Sequence, residues 1–341
     1  MKLPDELSVR SERVDKQCRE QHSRGHVVGV FTHDPSRVAY CFVPKVGSTF
    51  WIRVFSFLHN FTGENVDSPW KISRLKVHNN VHSHGVNWQN VRGKARDYLK
   101  FLFVRHPFSR LWSAYLDKLF LPDFWKEVGV PAVWKVRGAR STEHARRCGN
   151  DLTFPEFVEF SLLAREPHWD PIYLRCDPCQ FRPTVVGSMK TFERDSLLVL
   201  KRMGMEWVLK DVDHQNQNEK ELTTLIEYNF NLVHSRQYFY KSCTNDTRLA
   251  GLLWRTFQMN GYIPKNSRYE ASSSGAFSLE KFKTRVLETF RASLPLKEQL
   301  KKQKRDFIRN AFSSLSSELI DLVKFKYRQD MLYFGFDEEN Y

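Results

Sequence analysis

The feature that most constrains this chain is a short apolar run that ends in a sharp turn and leads directly into a helical pattern. The first such run, residues 38–43, is closed by Pro44 and Gly47 and followed by a helical pattern over residues 49–58. A buried strand that leads at once into a helix is the repeating unit of a parallel α/β sheet. The pattern therefore predicts a strand–turn–helix unit at this point.

The same order recurs further along the chain. Residues 101–104 form a second strand candidate, and Ser109 is placed to cap the helix that follows. A weaker third run, residues 184–186, is closed by Gly187 and precedes a helical pattern over residues 194–202. The sequence thus predicts an α/β protein with a central parallel sheet flanked by helices.

The domain organisation follows from where this pattern holds. Residues 1–25 are charged and weakly patterned, which predicts a stem or a short helix ahead of the domain. Residues 26–341 show no clean linker and no internal repeat, so one domain is predicted. Insertions are expected near residues 122–150, which look irregular, and near residues 264–305, which are polar.

The turn after the first strand has the composition of an anion-binding loop; it reads Pro44-Lys45-Val46-Gly47-Ser48-Thr49. A glycine between strand and helix lets backbone N–H groups turn toward an anion, and the helix N-terminus adds its positive dipole end. Lys45 adds a mobile positive charge. The turn is not a Walker A loop, because GxxxxGK[ST] is absent. An ordinary tight turn is the alternative.

The second strand ends in an arginine. Arg105 follows it directly, and Ser113 lies on the helix eight residues later. An arginine at a strand end can hold a phosphate through two parallel hydrogen bonds. Each residue alone also fits an ordinary surface position, but together with the first turn they indicate a site for a phosphorylated ligand.

Five segments in order resemble the Golgi carbohydrate sulfotransferase family that includes the HNK-1, chondroitin 4-O and dermatan 4-O enzymes. The likeness extends from about Arg13 to Asp337, with residues 122–150 and 264–305 poorly matched. The matching segments are CFVPKVGSTFW, KFLFVRHPFSRLWSAYLDKLF, HWDPIYLRCDPCQF, VVGSMKTFERDS and YRQDMLYFGFD. This resemblance implies the P-loop nucleotide-kinase-like sulfotransferase fold and transfer of a sulfonate to a glycan hydroxyl. It implies 3′-phosphoadenosine 5′-phosphosulfate as cosubstrate, without a metal.

The resemblance also implies roles for particular residues. Those expected to hold the 5′-phosphosulfate are Lys45, Val46, Gly47, Ser48 and Thr49. Among them, Lys45 is expected to neutralise charge on the departing phosphate oxygen. Arg105 and Ser113 are expected to bind the 3′-phosphate. Arg53, one turn into the first helix, fits an assisting role and an ordinary surface position equally well.

Three positions depart from the family pattern. Ser48 stands where many members carry cysteine, and His106 stands where an acidic residue is usual. The segment VGSMKTFERD lacks the acidic residue that often precedes its threonine, here Thr191. Any role that those acidic residues have in the family is therefore in doubt for this chain.

A base is needed to accept the proton of the attacking hydroxyl, and histidine suits this near neutral pH. The segment Lys76–His84 contains three histidines, of which His78 fits the family position best, followed by His82 and then His84. The i, i+4 and i, i+2 spacings also fit metal binding, although no neighbouring cysteine or carboxylate completes a set. An inert surface loop is the third possibility.

The six cysteines are Cys18, Cys41, Cys148, Cys176, Cys179 and Cys243. Six cysteines allow about 15 fully paired connectivities, which the sequence leaves open. The Cys176-Asp177-Pro178-Cys179 segment lies in an irregular stretch without a second CxxC, so a structural disulfide role is favoured over a redox or zinc site. Disulfides and the sequons at Asn60 and Asn245 favour an oxidising secretory compartment.

Composition narrows the class of partner. The net charge of +14 favours a polyanion, and chondroitin-like glycans are polyanions. The basic run 301–305 is a candidate contact, although a solvated helix face is favoured over it. The family works in the Golgi lumen behind an N-terminal membrane anchor, but no stretch here approaches the roughly 18 apolar residues needed for one.

The three rival functions are a kinase, a nucleic-acid binder and a non-catalytic glycan-binding protein. A kinase requires a Walker lysine and a magnesium-binding acid, and a nucleic-acid binder requires a recognised motif; none is found. A non-catalytic glycan-binding protein derived from a sulfotransferase is the strongest alternative. That class predicts a damaged donor site, which Lys45 and Arg105 argue against.

Overall fold

The computed structural model describes residues 5–21, 25–61, 63, 65–74, 76–77, 84–210, 214–269 and 277–337. Its strands are β1 (Val30–His33), β2 (Val38–Cys41), β3 (Leu99–Val104) and β4 (Val185–Ser188). They form one sheet in the order β1-β2-β3-β4, in which β3 is parallel to both β2 and β4. The α/β prediction is confirmed, with an antiparallel edge strand, β1, that the sequence analysis did not identify.

The register of the sheet brings the loops after β2, β3 and β4 to one edge. Phe101 of β3 pairs with Tyr40 of β2 on one side and with Val185 of β4 on the other. Since the three strands are parallel, their carboxyl ends point the same way, where open α/β sheets bind ligands. The candidate site is therefore expected at this edge.

Helices make up most of the remaining described chain. Those of the N-terminal half are Asp5–Glu20, Ser48–His59, Trp88–Val91, Pro107–Tyr115, Val130–Arg137, Glu143–Cys148, Phe154–Leu163 and Ile172–Arg175. Those of the C-terminal half are Pro178–Phe181, Phe192–Arg202, Trp207–Lys210, His214–Ser235, Gln237–Tyr240, Asp246–Met259, Leu279–Ser293, Lys297–Ser313 and Ser317–Phe334. π-Helical turns occupy Leu116–Phe120 and Trp125–Gly129. Single 3-10 turns are Pro69–Lys71, Lys94–Asp97, Pro122–Phe124, Gly138–Arg140, Met189–Thr191 and Leu294–Leu296.

The chain divides into two compact units. The first consists of Met1–Arg110, Arg165–Val212 and Lys324–Asn340 and contains the sheet. The second consists of Leu111–Ala164, Asp213–Val323 and Tyr341, and its described part is helical. The predicted stem at residues 1–25 and single domain over residues 26–341 stay predictions.

Aromatic side chains fill the core of the first unit between the sheet and helix Ser48–His59. Trp51 lies on the inner face of that helix, with its ring 4.5 Å from Phe101 and 6.0 Å from Tyr40. The rings of Tyr40 and Phe101, paired across β2 and β3, stack at 4.9 Å. Each such pair contributes about 0.5–1.5 kcal/mol beyond its buried area. This packing fixes the helix, and with it the turn that precedes it.

The N-terminal helix, Asp5–Glu20, packs against the first unit. Leu7 and Val14, two turns apart on one face, are fully buried. Arg10 donates to the buried carboxylate of Asp195 at 2.8 Å. Of the two interpretations of residues 1–25, the helix is the one observed over the described part.

The two expected insertions are largely helical rather than irregular where they are described. Trp125 and Val133 are fully buried within residues 122–150. In residues 264–305, Phe282, Val286 and Phe290 are buried at a spacing of four, which is one face of a helix. Their apolar faces complete the core of the second unit. The many arginines and lysines on the outer faces concealed this pattern in the sequence.

Two of the sequence segments that carry the family resemblance contact each other within the first unit. Asp330, on the last helix, accepts hydrogen bonds from the backbone N–H of Ile172 at 2.7 Å and of Tyr173 at 3.0 Å. One turn earlier, the hydroxyl of Tyr327 donates to the carbonyl of Trp169. Burial raises the pKa of Asp330 to about 6, while the two N–H donors and Arg110 act in the opposite direction.

Replacing Asp330 by alanine is expected to lower the free energy of unfolding by about 2–4 kcal/mol, because two buried N–H groups lose their acceptor. Urea denaturation measures the change. Asp321→Ala, at an exposed position of the same helix, is the control and should stay within about 0.5 kcal/mol. A loss for Asp330→Ala no larger than the control would contradict this role.

Candidate active site at the carboxyl edge of the sheet

The loop between β2 and its helix is held in an unusual backbone conformation. Lys45 and Gly47 adopt positive φ angles of 69° and 80°. Gly47 is the residue before helix Ser48–His59, whose N-terminus has no side-chain cap. An uncapped helix N-terminus behind a left-handed turn directs N–H groups and the dipole toward an anion. The glycine turn and the uncapped helix N-terminus are therefore both observed, and anion binding by them stays a prediction.

Gly47 is required by close packing as well as by its φ angle. A Cβ at this position would lie 2.3 Å from the ring of Phe192. That ring packs in turn at 5.4 Å from Phe50 and 5.0 Å from Phe103. The loop thus rests on an aromatic cluster that leaves no room for a side chain.

Arg105 projects from the end of β3 beside this loop. Its guanidinium is partly buried and donates to the carbonyl of Lys45 at 3.4 Å. Among the described residues no carboxylate forms an ion pair with it. Burial and the neighbouring Arg110 lower its pKa to about 10. A buried cation beside another cation favours binding of an anion, which would offset both penalties.

Arg110 is a structural residue of the site that the sequence analysis missed. Only 1% of it is exposed, and it donates to three backbone carbonyls. The acceptors are Pro44 at 3.0 Å, Pro167 at 2.8 Å and Asp170 at 2.5 Å. The guanidinium therefore ties the loop after β2 to the segment that follows Arg165. Its place in RHPFSR, one helical turn after His106, was the available signal.

His106 stands where the family usually carries an acid, and its contacts explain how the position is used here. It is 5% exposed, and its Nδ1 accepts from the backbone N–H of Phe108 at 3.2 Å. That bond makes Nε2 the protonated nitrogen, which donates to the carbonyl of Asp337 at 3.0 Å. His106 thus begins the helix Pro107–Tyr115. The prediction that Ser109 caps this helix is wrong, because the helix starts two residues earlier, at Pro107.

The end of β4 is organised by Asp195. Its Oδ2 accepts from the backbone N–H of Ser188 at 2.9 Å and from the hydroxyl of Thr191 at 2.7 Å. This carboxylate follows Thr191 by four residues, whereas the family acid precedes the threonine. The turn after β4 is therefore fixed without that acid.

Known proteins that are similar in sequence identify the family of this chain. Residues 28–260 match the model described as the sulfotransferase family. The chain belongs to the sulfotransferase family. It is similar to carbohydrate sulfotransferase 11 of Rattus norvegicus, with 29% identity over 68% of this chain and 72% of that protein. Carbohydrate sulfotransferase 14 of Danio rerio is 32% identical over 51% of this chain and 48% of its own length. No solved structure matches the chain.

Family membership makes this protein a transferase, and the described residues show where its predicted donor-site residues lie. Val46 is fully buried, so it offers a ligand only its backbone. Ser48 is 7% exposed. Lys45 and Thr49 are partly exposed in the same loop. Arg53 donates to the carbonyl of Ile72 at 3.1 Å. The roles of these residues in donor binding stay predictions.

The remaining residues predicted for the site of this sulfotransferase are three histidines and Ser113. His78 and His82 lie outside the described residues. His84 is described, and its ring stacks on Phe61 at 3.9 Å, beyond the last residue of helix Ser48–His59. The loop precedes the first residue of that helix, and a helix of 12 residues spans roughly 18 Å. His84 is therefore remote from the loop. Ser113 lies in the second unit, and its predicted role with Arg105 stays a prediction.

The six cysteines form three disulfides, Cys18–Cys179, Cys41–Cys176 and Cys148–Cys243. The structural role expected of Cys176 and Cys179 is confirmed, because each bonds to a different, distant cysteine. Across the described ranges, no group of three or more His, Cys, Asp or Glu side chains is arranged to hold a metal ion. In the same residues, no helix combines the length and apolarity of a membrane span.

Gly47→Ala is expected to cost about 2–4 kcal/mol of stability, from the left-handed φ and the clash with Phe192. Gly204→Ala is the matched control, because Gly204 has a φ of 67° and nothing within 4 Å of its added Cβ. The control should cost about 1 kcal/mol. Urea denaturation of both variants separates the cost of the left-handed φ from the cost of the clash with Phe192. Equal losses of stability would contradict the clash.

The free energy of unfolding is expected to fall as pH drops below about 6.5, partly through His106. Burial, aided by Lys190, lowers the pKa of His106 in the folded chain, so the unfolded chain takes up the proton first. His106→Asn should flatten this decline by up to about 1.4 kcal/mol per pH unit. Denaturation between pH 7 and pH 5 measures it, with His234→Asn as an exposed control. An unchanged slope in His106→Asn would refute the assignment.

Proposed function

We propose that this sulfotransferase transfers a sulfonate group from 3′-phosphoadenosine 5′-phosphosulfate to a hydroxyl of a glycan. The observation that carries the proposal is Arg105, a partly buried guanidinium beside Arg110 without a carboxylate partner among the described residues. It lies at the carboxyl edge of the sheet, next to a left-handed loop and an uncapped helix N-terminus. The donor carries phosphate groups on the 3′ and 5′ positions of its ribose. Arg105 and the loop with its helix N-terminus offer two adjacent positive features for them.

The donor site is proposed to divide between these two features. Lys45, Gly47, Ser48 and Thr49 hold the 5′-phosphosulfate, with Val46 contributing through its backbone. Arg105, with Ser113, holds the 3′-phosphate, and Arg53 supports the loop through the Ile72 carbonyl. The 3′-phosphate is the group that distinguishes this donor from ATP, so Arg105 is the proposed specificity residue.

The chemistry proposed is in-line displacement at sulfur. The attacking hydroxyl oxygen forms a bond to sulfur while the bond from sulfur to the 5′-phosphate oxygen breaks. Catalysis of this kind depends mainly on positioning and charge stabilisation. Lys45 stabilises the negative charge that develops on the departing oxygen. His78 and His82 remain the bases predicted from the sequence.

A glycan acceptor is supported by the names of the similar proteins, which are carbohydrate sulfotransferases. The net charge of +14 suits an acidic polysaccharide or a glycoprotein glycan. In helix Lys297–Ser313, Lys301 and Lys302 are exposed, while Gln303 bonds to the carbonyls of Gln258 and Ile263. The exposed face of this helix is the proposed basic contact for such a glycan.

The Golgi lumen is the proposed compartment. Three disulfides require an oxidising environment, and Asn60 of the first sequon is exposed. Attachment to the membrane through an N-terminal anchor remains part of the proposal by family resemblance. Fractionation of the natural protein in its host cells, with a glycosidase shift assay, tests both points.

Calorimetry with 3′-phosphoadenosine 5′-phosphate tests the donor site. Wild type is expected to bind it and to bind ATP far more weakly. Arg105→Ala should weaken binding by roughly 30- to 1,000-fold, the equivalent of about 2–4 kcal/mol for a charged phosphate contact. Arg202→Ala, at an exposed helix position, is the control and should leave the affinity unchanged.

The acceptor is tested separately by transfer of labelled sulfonate to a panel of glycans. Transfer by wild type and its loss in Lys45→Ala would support the full proposal. A folded wild-type protein that binds no 3′-phosphorylated nucleotide would contradict it. Glycan retention by such a protein would favour the non-catalytic glycan-binding alternative.

A further inference from the structure

A histidine that the sequence analysis did not select is held by a carboxylate in the first unit. Glu166 begins a turn in which its carbonyl accepts from the N–H groups of Trp169 and Asp170 at 3.1 and 2.8 Å. Its carboxylate lies 2.8 and 3.0 Å from Nδ1 of His168 and also accepts from the His168 backbone N–H at 2.8 Å. Both side chains are mostly buried, with 23% of His168 and 18% of Glu166 exposed. The backbone N–H thus holds the carboxylate in place, and the carboxylate in turn holds the ring through Nδ1.

This arrangement selects one tautomer of the imidazole. A carboxylate accepts hydrogen bonds only, so Nδ1 of His168 carries the proton. Nε2 is then the ring nitrogen with the basic lone pair. A carboxylate that orients a histidine and stabilises its protonated form is the arrangement of the catalytic triad, in which histidine acts as a general base.

The position of this pair is set by Arg110. One guanidinium donates to the carbonyl of Pro44 at 3.0 Å and to the carbonyl of Pro167 at 2.8 Å. Both carbonyls therefore accept from the same guanidinium and lie on its edges. Lys45 follows one of them and His168 follows the other. The backbone that precedes His168 is therefore held beside the backbone that precedes Lys45, whereas His84 lies beyond the far end of helix Ser48–His59.

We propose that His168 is the proton acceptor of the transfer reaction and that Glu166 is its positioning residue. The inference rests on the function proposed above. As the acceptor hydroxyl attacks, its oxygen bonds to sulfur and its proton passes to Nε2 of His168. The bond from sulfur to the 5′-phosphate oxygen breaks, and its electron pair leaves on that oxygen. The proton is later released to water, which returns the histidine to its neutral state.

Other charged groups lie near the pair. Glu166 acts electrostatically on Arg110 and Arg175, both of which carry pKa values lowered chiefly by burial. Asp170, in the same turn, is paired with Arg165 at 3.1 Å. Glu166 is the group among these that contacts the ring of His168 directly. Its replacement is therefore the sharpest perturbation of the ring.

Three variants test the inference by two independent readouts, nucleotide affinity and single-turnover transfer rate. His168→Ala should lower the transfer rate by roughly 10²- to 10⁴-fold and leave the affinity for 3′-phosphoadenosine 5′-phosphate unchanged. Added imidazole should restore part of the rate. His168→Gln should behave like His168→Ala and covers the case in which the alanine variant fails to fold. Glu166→Gln should lower the rate by roughly 10- to 100-fold without changing the affinity.

Glu166→Gln has two further consequences that a merely structural residue would not produce. The acidic limb of the pH–rate profile should move to lower pH, because an amide no longer stabilises the protonated ring. Nitrogen NMR of ¹⁵N-histidine-labelled protein should show an Nδ1-protonated signal that disappears in His168→Ala and changes in Glu166→Gln. This spectroscopic test requires no donor, acceptor or turnover.

The matched control is His234→Ala, which removes an exposed imidazole–carboxylate pair of the same 2.8 Å length, with Asp246, in the second unit. It should change neither readout. His78→Ala tests the rival base. Loss of transfer in His78→Ala but not in His168→Ala, with nucleotide affinity intact in both, would overturn this inference and leave the proposed function standing. A wild type that binds no nucleotide would instead contradict the proposed function itself.

Discussion

The candidate site depends on one buried guanidinium. Arg110 has no carboxylate hydrogen-bond acceptor among the described residues and satisfies its donors with the carbonyls of Pro44, Pro167 and Asp170. Two segments more than a hundred residues apart are thereby fixed beside each other. The planar guanidinium donates in defined directions from three separate nitrogens, whereas a lysine would have to meet all three carbonyls from a single nitrogen. Burial lowers the pKa of Arg105 to about 10, and the neighbouring Arg110 acts in the same direction.

The surrounding core gives this arrangement its rigidity. Trp51 and the paired rings of Tyr40 and Phe101 lock the first helix onto the sheet, and the ring of Phe192 leaves space only for a glycine at position 47. The turn is thus preorganised by packing. At the other side, the last helix fixes the segment after Trp169 through Asp330, so the proposed proton acceptor and the proposed anion loop are supported by independent contacts.

Much of the sheet and the loop could be predicted from local pattern. The strands, the helix after each of them and the glycine turn at Gly47 are determined by residues close in sequence, and all are confirmed. The edge strand β1 was missed because its four residues have no alternation distinct from the neighbouring loop. The helices within residues 122–150 and 264–305 were missed because basic residues on their outer faces masked the buried face. Arg110 and the Glu166–His168 pair were missed because single polar residues give no periodic signal.

The sequence by itself therefore determined the fold class, the family and the first candidates for anion binding, since each depends on short motifs and local order. Only the tertiary structure decided which of the possible cysteine pairings forms, which segment is held beside the loop and which arginine organises it. Those choices are contacts between residues separated by tens to hundreds of positions, and no local pattern encodes them. The remoteness of His84 follows from where a helix ends, and the position of the backbone before His168 follows from which carbonyls one guanidinium reaches.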